Sequence, residues 1–327
     1  MEVGKIPETI LKRSIFKQIK HRRNEVLVRP NVGEDCSFLQ LNEDEVFVVS
    51  TDPITGAVKD VGSLAIHVTA NDLASSGAEP VAVLLTILLP NGTSEKELKN
   101  IMKDIESTCD LLNIEVIGGH TEVTNAVIQP IVSVMGIGKC EKGTLITTSG
   151  ARAGQDIILT KWAGVEGTAI IANEKEKELL TKYNSDLIGR AKGFKKYLSI
   201  LEESKIGRRL GATAMHDVTE GGVFGALWEL ASSSKLGLEV DLDLIPIKQE
   251  TIEICEFYGI NPYKLISSGC LLITIDDGKK LVETLNKVNI EASIIGKMKD
   301  SNNKIINYGH TKRAIEPPKS DELYKII

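Results

Sequence analysis

Residues 80–98 read Pro-Val-Ala-Val-Leu-Leu-Thr-Ile-Leu-Leu-Pro-Asn-Gly-Thr-Ser-Glu-Lys-Glu-Leu. Residues 81–89 are apolar except for Thr86 and are bracketed by Pro80 and Pro90. That run falls well short of the ~20 residues needed to cross a bilayer, so it reads as a buried strand. Asn91-Gly92-Thr93 formally matches a glycosylation acceptor but, without a secretory signal, reads as the turn that follows. Ser94 and Glu97 have the spacing of a capping box. Leu98, Ile101, Ile105, Cys109 and Leu112 continue at helical spacing, which predicts a helix beginning after Ser94. Glu115-Val116-Ile117 is the next strand. Strand, helix and strand in succession place this half in the α/β or α+β class.

Working outward, strands are predicted at 26–28, 37–41, 46–49 and 128–135, and a helix at 63–75. Before them, Pro7 opens a helical pattern of Ile10, Leu11, Ile15 and Ile19. Its other face carries Lys12, Arg13, Lys17, Lys20, Arg22 and Arg23, which reads either as a phosphate contact or as a solvated face. Around residues 142–155 the apolar period fades and Gly143, Gly150 and Gly154 punctuate a polar stretch, so a domain junction is expected near residue 150. An N-terminal domain over 1–150 and a C-terminal domain over 151–327 follow from it. The second half also mixes helices, at 167–180 and 186–201, with strands at 157–159, 238–242 and 271–275, and is again α/β or α+β.

A chain of 327 residues with 42% hydrophobic and 26% charged residues has material for two cored domains. Its 45 acids against 39 bases give a net charge of −6, which argues against nucleic acid as partner and favours a small molecule. The N-terminal residues hold no long apolar segment, so neither secretion nor a membrane is expected and a cytoplasmic location is. Five widely spaced cysteines with no C-x-x-C read as unlinked thiols.

Common nucleotide and hydrolase loops are missing: the sequence has no G-x-x-x-x-G-K-[ST], no G-x-G-x-x-G after a strand, no H-E-x-x-H and no G-x-S-x-G. What it has is a series of acids beside glycine or small residues, expected at strand-to-loop transitions. They are Gly33-Glu34-Asp35, Ser50-Thr51-Asp52, Ala70-Asn71-Asp72, Gly118-Gly119-His120-Thr121-Glu122 and His216-Asp217-Val218-Thr219-Glu220-Gly221-Gly222. Scattered carboxylates are hard oxygen ligands suited to Mg²⁺, and the glycines let backbone N–H groups approach phosphate oxygens. Each motif alone also reads as a turn former or a helix cap. His120 and His216 read equally as proton acceptors or as loop hydrogen-bonders. His67 reads as packing, and Lys161-Trp162, directly after a strand, reads equally as a substrate contact or as a surface junction.

In order and wording these motifs resemble the superfamily of aminoimidazole ribonucleotide synthetase, selenophosphate synthetase, thiamine-monophosphate kinase and the hydrogenase maturation protein HypE. Glu34-Asp35 stands at its first acid pair, Thr51-Asp52 at its strand-terminal Thr-Asp, and Asn71-Asp72-Leu73-Ala74 with Gly77-Ala78-Glu79-Pro80 at its helix motif. The resemblance implies an ATP-binding N-terminal α/β domain with a dimer-forming β-barrel, and a C-terminal α/β domain that covers the substrate. It implies Mg²⁺ and ATP phosphates on Asp35, Asp52, Asp72 and Glu122, with Asp217 facing the same cleft. Glu34, Thr51, Asn71, Gly118, Gly119 and Thr121 would line the nucleotide site, and the Gly221-Gly222 helix start would offer N–H groups to an anion. Asp217, Asp72 and His120 are the implied catalytic candidates. The reaction would be phosphoryl transfer from ATP to a small-molecule acceptor by a homodimer.

Two departures point to a branch. HypE ends in a cysteine that carries the carbamoyl group, whereas this sequence has no cysteine after Cys270, which precedes an apolar strand. Glu220 stands where HypE usually has Arg. These features favour a kinase similar to thiamine-monophosphate kinase or α-ribazole kinase. A HypE-like maturation factor, a non-catalytic ATP-binding partner and a metal store are the alternatives.

Overall fold

The computed structural model describes residues 26–28, 31, 33–34, 36–40, 42, 44–55 and 59–327, with Thr9 and Lys12. The rest of the expected opening helix, and Asp35, lie outside the described residues. The described residues fall into two compact units. The smaller holds Val26–Val28 and residues 36–145; the larger holds Gly33, Glu34 and residues 146–327.

The smaller unit runs β1 (Val26–Val28), β2 (Ser37–Gln40), β3 (Glu45–Ile54), α1 (Val61–Ser75), β4 (Glu79–Leu89), α2 (Glu95–Leu112), β5 (Glu115–Val123) and β6 (Ile131–Glu141). Its six strands form one sheet in the order β1-β2-β3-β6-β4-β5. Only β4 and β5 are parallel, because α2 returns the chain in the same direction; the other neighbours are antiparallel. The helix α2 begins at the expected box: Glu97 N–H donates to Ser94 Oγ at 3.2 Å and Ser94 N–H to the Glu97 carboxylate at 2.6 Å.

Alternation along the strands sets the two faces of this sheet. Val46, Val48 and Ser50 of β3 and Val132, Val134 and Gly136 of β6 are buried on the side packed by α1. Phe47, Thr51 and Pro53 of β3 and Met135 of β6 lie exposed on the other. The barrel expected for this half is not seen. Among the described residues β1 pairs only with β2 and β5 only with β4, so the sheet stays open with two edges, and closure would require those edges to bond.

The larger unit contains β7 (Asp156–Thr160), α3 (Val165–Glu174), α4 (Glu176–Leu179), α5 (Ser185–Lys192), α6 (Leu201–Leu210), β8 (Ala214–Asp217), α7 (Gly222–Ser233), β9 (Gly237–Asp241), α8 (Gln249–Tyr258), β10 (Leu271–Ile275), α9 (Gly278–Lys287), β11 (Ala292–Lys299), β12 (Lys304–Tyr308) and β13 (Thr311–Ala314). Its seven-stranded mixed sheet has the order β13-β12-β9-β11-β7-β10-β8. β10 lies between β7 and β8 and is buried at every position, which explains a sequence that is apolar except for Thr274. The helix expected over 186–201 stops at Lys192. Gly193, a poor helix former, opens a 3₁₀ turn through Tyr197, and α6 starts afresh at Leu201. Among the described residues no helix is long and apolar enough to cross a membrane.

Candidate functional site

In the smaller unit the acids are positioned by α1 and β3. Nearly every residue of α1 is buried, including Asn71 and Asp72. A carboxylate at that depth needs partners. Ser50 Oγ donates to Asp72 Oδ2 at 2.5 Å, and the Asp72 carbonyl accepts from Cys36 Sγ and from Ser75 Oγ. Asp52 lies two residues beyond Ser50 on β3 and therefore on the same, helix-facing side of the sheet. Ser50, Asp52 and Asp72 thus form a hard-oxygen set on one face, which fits Mg²⁺, an ion that takes one or two protein carboxylates and completes its shell with phosphate and water. Among the described residues no three His, Cys, Asp or Glu side chains close on one point by themselves.

The Gly118-Gly119-His120-Thr121-Glu122 motif was expected at a strand end but lies inside β5. Its glycines form a bulge: Val83 faces Val116 while Leu84 faces Gly118, so Ile117 is the extra residue. Gly119 has φ +150°, and a Cβ there would lie 2.1 Å from the Leu85 carbonyl oxygen. No other residue fits so close to the neighbouring strand.

Lateral register assigns the faces of the motif residues. Thr51 aligns with Met135, Leu84 and Gly118, and the next row is Pro53, Ser133, Thr86 and His120. His120 and Glu122 therefore occupy the open face with Thr51, opposite Asp52, while Gly119 and Thr121 alternate onto the helix side. His120 Nε2 sits 3.3 Å from the Glu122 carboxylate with both side chains at least half exposed.

The larger unit treats its motif differently. His216 is buried on β8, with Nε2 3.0 Å from Glu229 and Nδ1 3.4 Å from Thr148 Oγ1, which ties the strand to α7. Asp217 is buried at the strand end. Gly221 and Gly222 then turn the chain into α7 with φ of +87° and +61°. The N–H of Gly221, expected to meet an external anion, donates instead to Asp321 Oδ2 at 2.6 Å. The other oxygen of Asp321 accepts from Ile266 and Leu323, and Tyr324 OH donates to Glu220 at 2.6 Å. The C-terminal segment thus seals the helix start with a carboxylate of its own. Burial, with Glu220 adding to it against the three backbone hydrogen bonds, pushes Asp321 up to about 6. Glu34 also belongs to this unit, where Ser233 of α7 points to it at 3.5 Å.

Two features of this unit had no clear sequence signal as functional residues. Burial pushes Glu166 up to about 7, opposed by the Ser268 N–H and reinforced by Asp321 and Glu220. Lys161 forms a buried ion pair with Glu203 while donating to the carbonyls of Ser199 and Gly269. All five cysteines are buried. Cys270 donates to the Trp162 carbonyl at 2.9 Å, and burial pushes its thiol up to about 12.

Comparison with known proteins follows this geometry. Residues 33–140 match AIR synthase related protein, N-terminal domain, and residues 152–309 match AIR synthase related protein, C-terminal domain. The chain is 29% identical over 336 aligned residues to a putative hydrogenase expression/formation protein of Methanocaldococcus jannaschii, covering 99% of this chain and 97% of the relative. It is 27% identical over 247 residues to carbamoyl dehydratase HypE of Cupriavidus necator, covering 73% and 68%. In fold it is similar to the HypE chain of a HypE–HypF complex, with TM-score 0.74, 24% identity and coverage of 88% and 94%. It is likewise similar to AaThiL complexed with AMPPCP and TMP, with TM-score 0.72, 20% identity and coverage of 89% and 91%.

Proposed function

The chain belongs to the AIR synthase related family of ATP-using enzymes, and from that premise we propose that it phosphorylates an acceptor oxygen in hydrogenase maturation. The observation that carries this reading is the buried Asp72 carboxylate, pinned by Ser50 on the face that also holds Asp52. The end-to-end similarity to a hydrogenase expression/formation protein supports the branch. Asp52 and Asp72 would hold Mg²⁺, with Asp35 as a further ligand, and the ion would neutralise phosphate charge. His120 and Glu122 are not assigned to that ion, since they stand on the other face of the sheet.

The acceptor in this reading is a carboxamide. Its oxygen takes the γ-phosphoryl group of ATP and leaves as phosphate, so that one ATP and one carboxamide become ADP, phosphate and a nitrile. Since all five thiols are buried, none of them in this fold presents the carboxamide, which therefore arrives on a carrier. Those buried thiols also favour the second reading, a small-molecule kinase in which the phosphoryl group stays on the acceptor. One experiment separates the readings. The protein is incubated with Mg-ATP and either a peptide bearing an S-carbamoyl cysteine, –S–C(=O)–NH2, or thiamine monophosphate, and ADP, free phosphate and product mass are measured. ADP with equal free phosphate and a peptide loss of 18 Da supports the first reading, ADP with a phosphorylated vitamin supports the second, and no ADP with either removes both.

A homodimer is part of the proposal. Phe47, Val81, Ile117 and Met135 are large apolar side chains left exposed on the smaller unit, and β5 has one unpaired edge. Light scattering should return twice the chain mass; the single-chain mass at micromolar protein would remove this element.

A further inference from the structure

The larger unit contains a cavity of about 430 Å³ whose lining includes neither Asp217, Gly221 nor Asp321. Three segments build it. Phe224 comes from the first turn of α7, Tyr263 and Lys264 from the turn Pro262–Lys264, and Ile306, Tyr308 and Arg313 from the β12–β13 hairpin. The volume lies in the range of small-molecule sites, roughly 300–1,000 Å³.

The aromatic wall is fixed before any ligand arrives. Phe224 and Tyr263 stack with ring centroids 5.3 Å apart and planes 11° from parallel. Asn261 Oδ1 accepts from the Tyr263 N–H at 3.0 Å and so holds the turn. A Cβ on Gly222 would lie 2.7 Å from the Tyr263 carbonyl, so α7 and the turn are in direct backbone contact. On the opposite wall Ile306 pairs with Arg313, and Tyr308 follows two residues later, which places all three on one side of the hairpin. Tyr308 is 56% exposed, leaving a second aromatic surface uncovered.

Charge around this cavity is unbalanced. Glu316, its one acid, faces Lys319 at 3.5 Å. Neither Lys264 nor Arg313 makes a side-chain ion pair among the described residues. Aromatic walls with two uncompensated cations select a flat ring that carries negative charge, the guanidinium fork matching a phosphate or carboxylate. We propose that this cavity binds a small planar aromatic anion, with its ring against Phe224, Tyr263 and Tyr308 and its charged group on Arg313 and Lys264.

The test is isothermal titration of the full chain with phenyl phosphate, benzoate and phenol in buffer containing EDTA, so that no metal at Asp52 and Asp72 takes up the anion. Saturable binding of at least one anion is expected, with phenol about tenfold weaker. Preference for phenyl phosphate assigns a phosphate ligand, and preference for benzoate assigns a carboxylate. Arg313→Gln and Lys264→Gln, with melting temperatures matching the parent, should each weaken the anion about tenfold and leave phenol unchanged. No saturable anion binding, equal affinity for phenol, or anion affinity unmoved in both variants would overturn the proposal.

Discussion

Two buried acids, one in each unit, end in opposite circumstances. Asp72 is buried on α1, where the Ser50 hydroxyl of β3 donates to it, and the half-buried Asp52 lies on the helix-facing side of the same strand. Asp321, from the far end of the chain, is buried with three backbone N–H donors at the very helix start that a bound anion would need. The first arrangement gathers hard oxygens from a helix and a strand. The second satisfies itself. A Gly-Gly helix start whose first N–H is already taken by a carboxylate of its own unit has one donor fewer to offer an anion.

The largest effect should come from reversing that contrast. Asp72→Asn keeps an oxygen for Ser50 but removes the charge, and Mg-ATP turnover should fall by about 10²–10³-fold. Asp321→Asn should leave Mg-ATP affinity in place and lower the melting temperature, because an amide cannot accept all three N–H bonds as strongly. Calorimetry with circular dichroism on both variants decides it. Unchanged affinity in a folded Asp72→Asn protein, or lost affinity in Asp321→Asn, would invert the comparison.

Next comes a pair of glycines. Gly119→Ala drives a Cβ to 2.1 Å from a carbonyl oxygen at a φ of +150°, and should cost about 3 kcal/mol. Gly221→Ala meets the Pro318 Cβ at 3.3 Å and the Gly225 Cα at 3.5 Å, at a φ of +87°, and should cost about 1 kcal/mol. Urea unfolding measures both; equal costs would show that β5 relaxes away from β4.

These positions also show how much was readable from sequence. The α2 boundary was legible to the residue, since Ser94 and Glu97 act locally. So was β10, whose five residues are apolar or threonine because both neighbours bury it. The interior position of His120 and Glu122 was not legible, since glycine pairs usually mark turns and only the bulge opposite Leu84 keeps β5 paired through them. Strands β11 to β13 were missed because Lys297, Lys299, Lys304 and Lys312 break their apolar pattern at sites that pair with Asp156 or Glu239 from distant segments, or cover a neighbouring Trp228 ring. The match of Asp321 to Gly221 spans 100 residues and left no local trace.

The pH response should separate the units further. Burial is the first cause raising Glu166 from 4.5 to about 7 and Asp321 from 3.8 to about 6. In each case the folded state holds its proton more tightly than the unfolded chain. The stabilisation is complete below the unfolded value and is lost as pH rises through the folded one. The stability of the larger unit should therefore decline between about pH 4 and pH 7. Glu166→Gln should flatten the upper part of that slope and Asp321→Asn the lower part. Denaturant midpoints across the range test this, and stability rising with pH over that window would sink it.

The smallest effect compares one helix cap from each unit. Ser94 accepts the Glu97 N–H through its hydroxyl and donates both its own N–H and its hydroxyl to the Glu97 carboxylate, whose pKa those two donations hold below its ordinary value. Asn184 at the start of α5 makes the one-way version, accepting the Leu187 N–H at 2.9 Å. Replacing Ser94 with Ala should cost about 1 kcal/mol. Replacing Asn184 with Ala should cost less, about 0.5 kcal/mol, because it loses one accepted N–H, whereas the Ser94 change also loses the hydroxyl's bond to the Glu97 carboxylate. Amide exchange gives the local measure: protection should drop over the first turn of α2 in the Ser94 variant and over the first turn of α5 in the Asn184 variant. A larger loss at Asn184 would mean that the reciprocal bond from Ser94 adds nothing to the cap, and that helix entry in the smaller unit is held by packing of Ile101 and Ile105 on α1 instead.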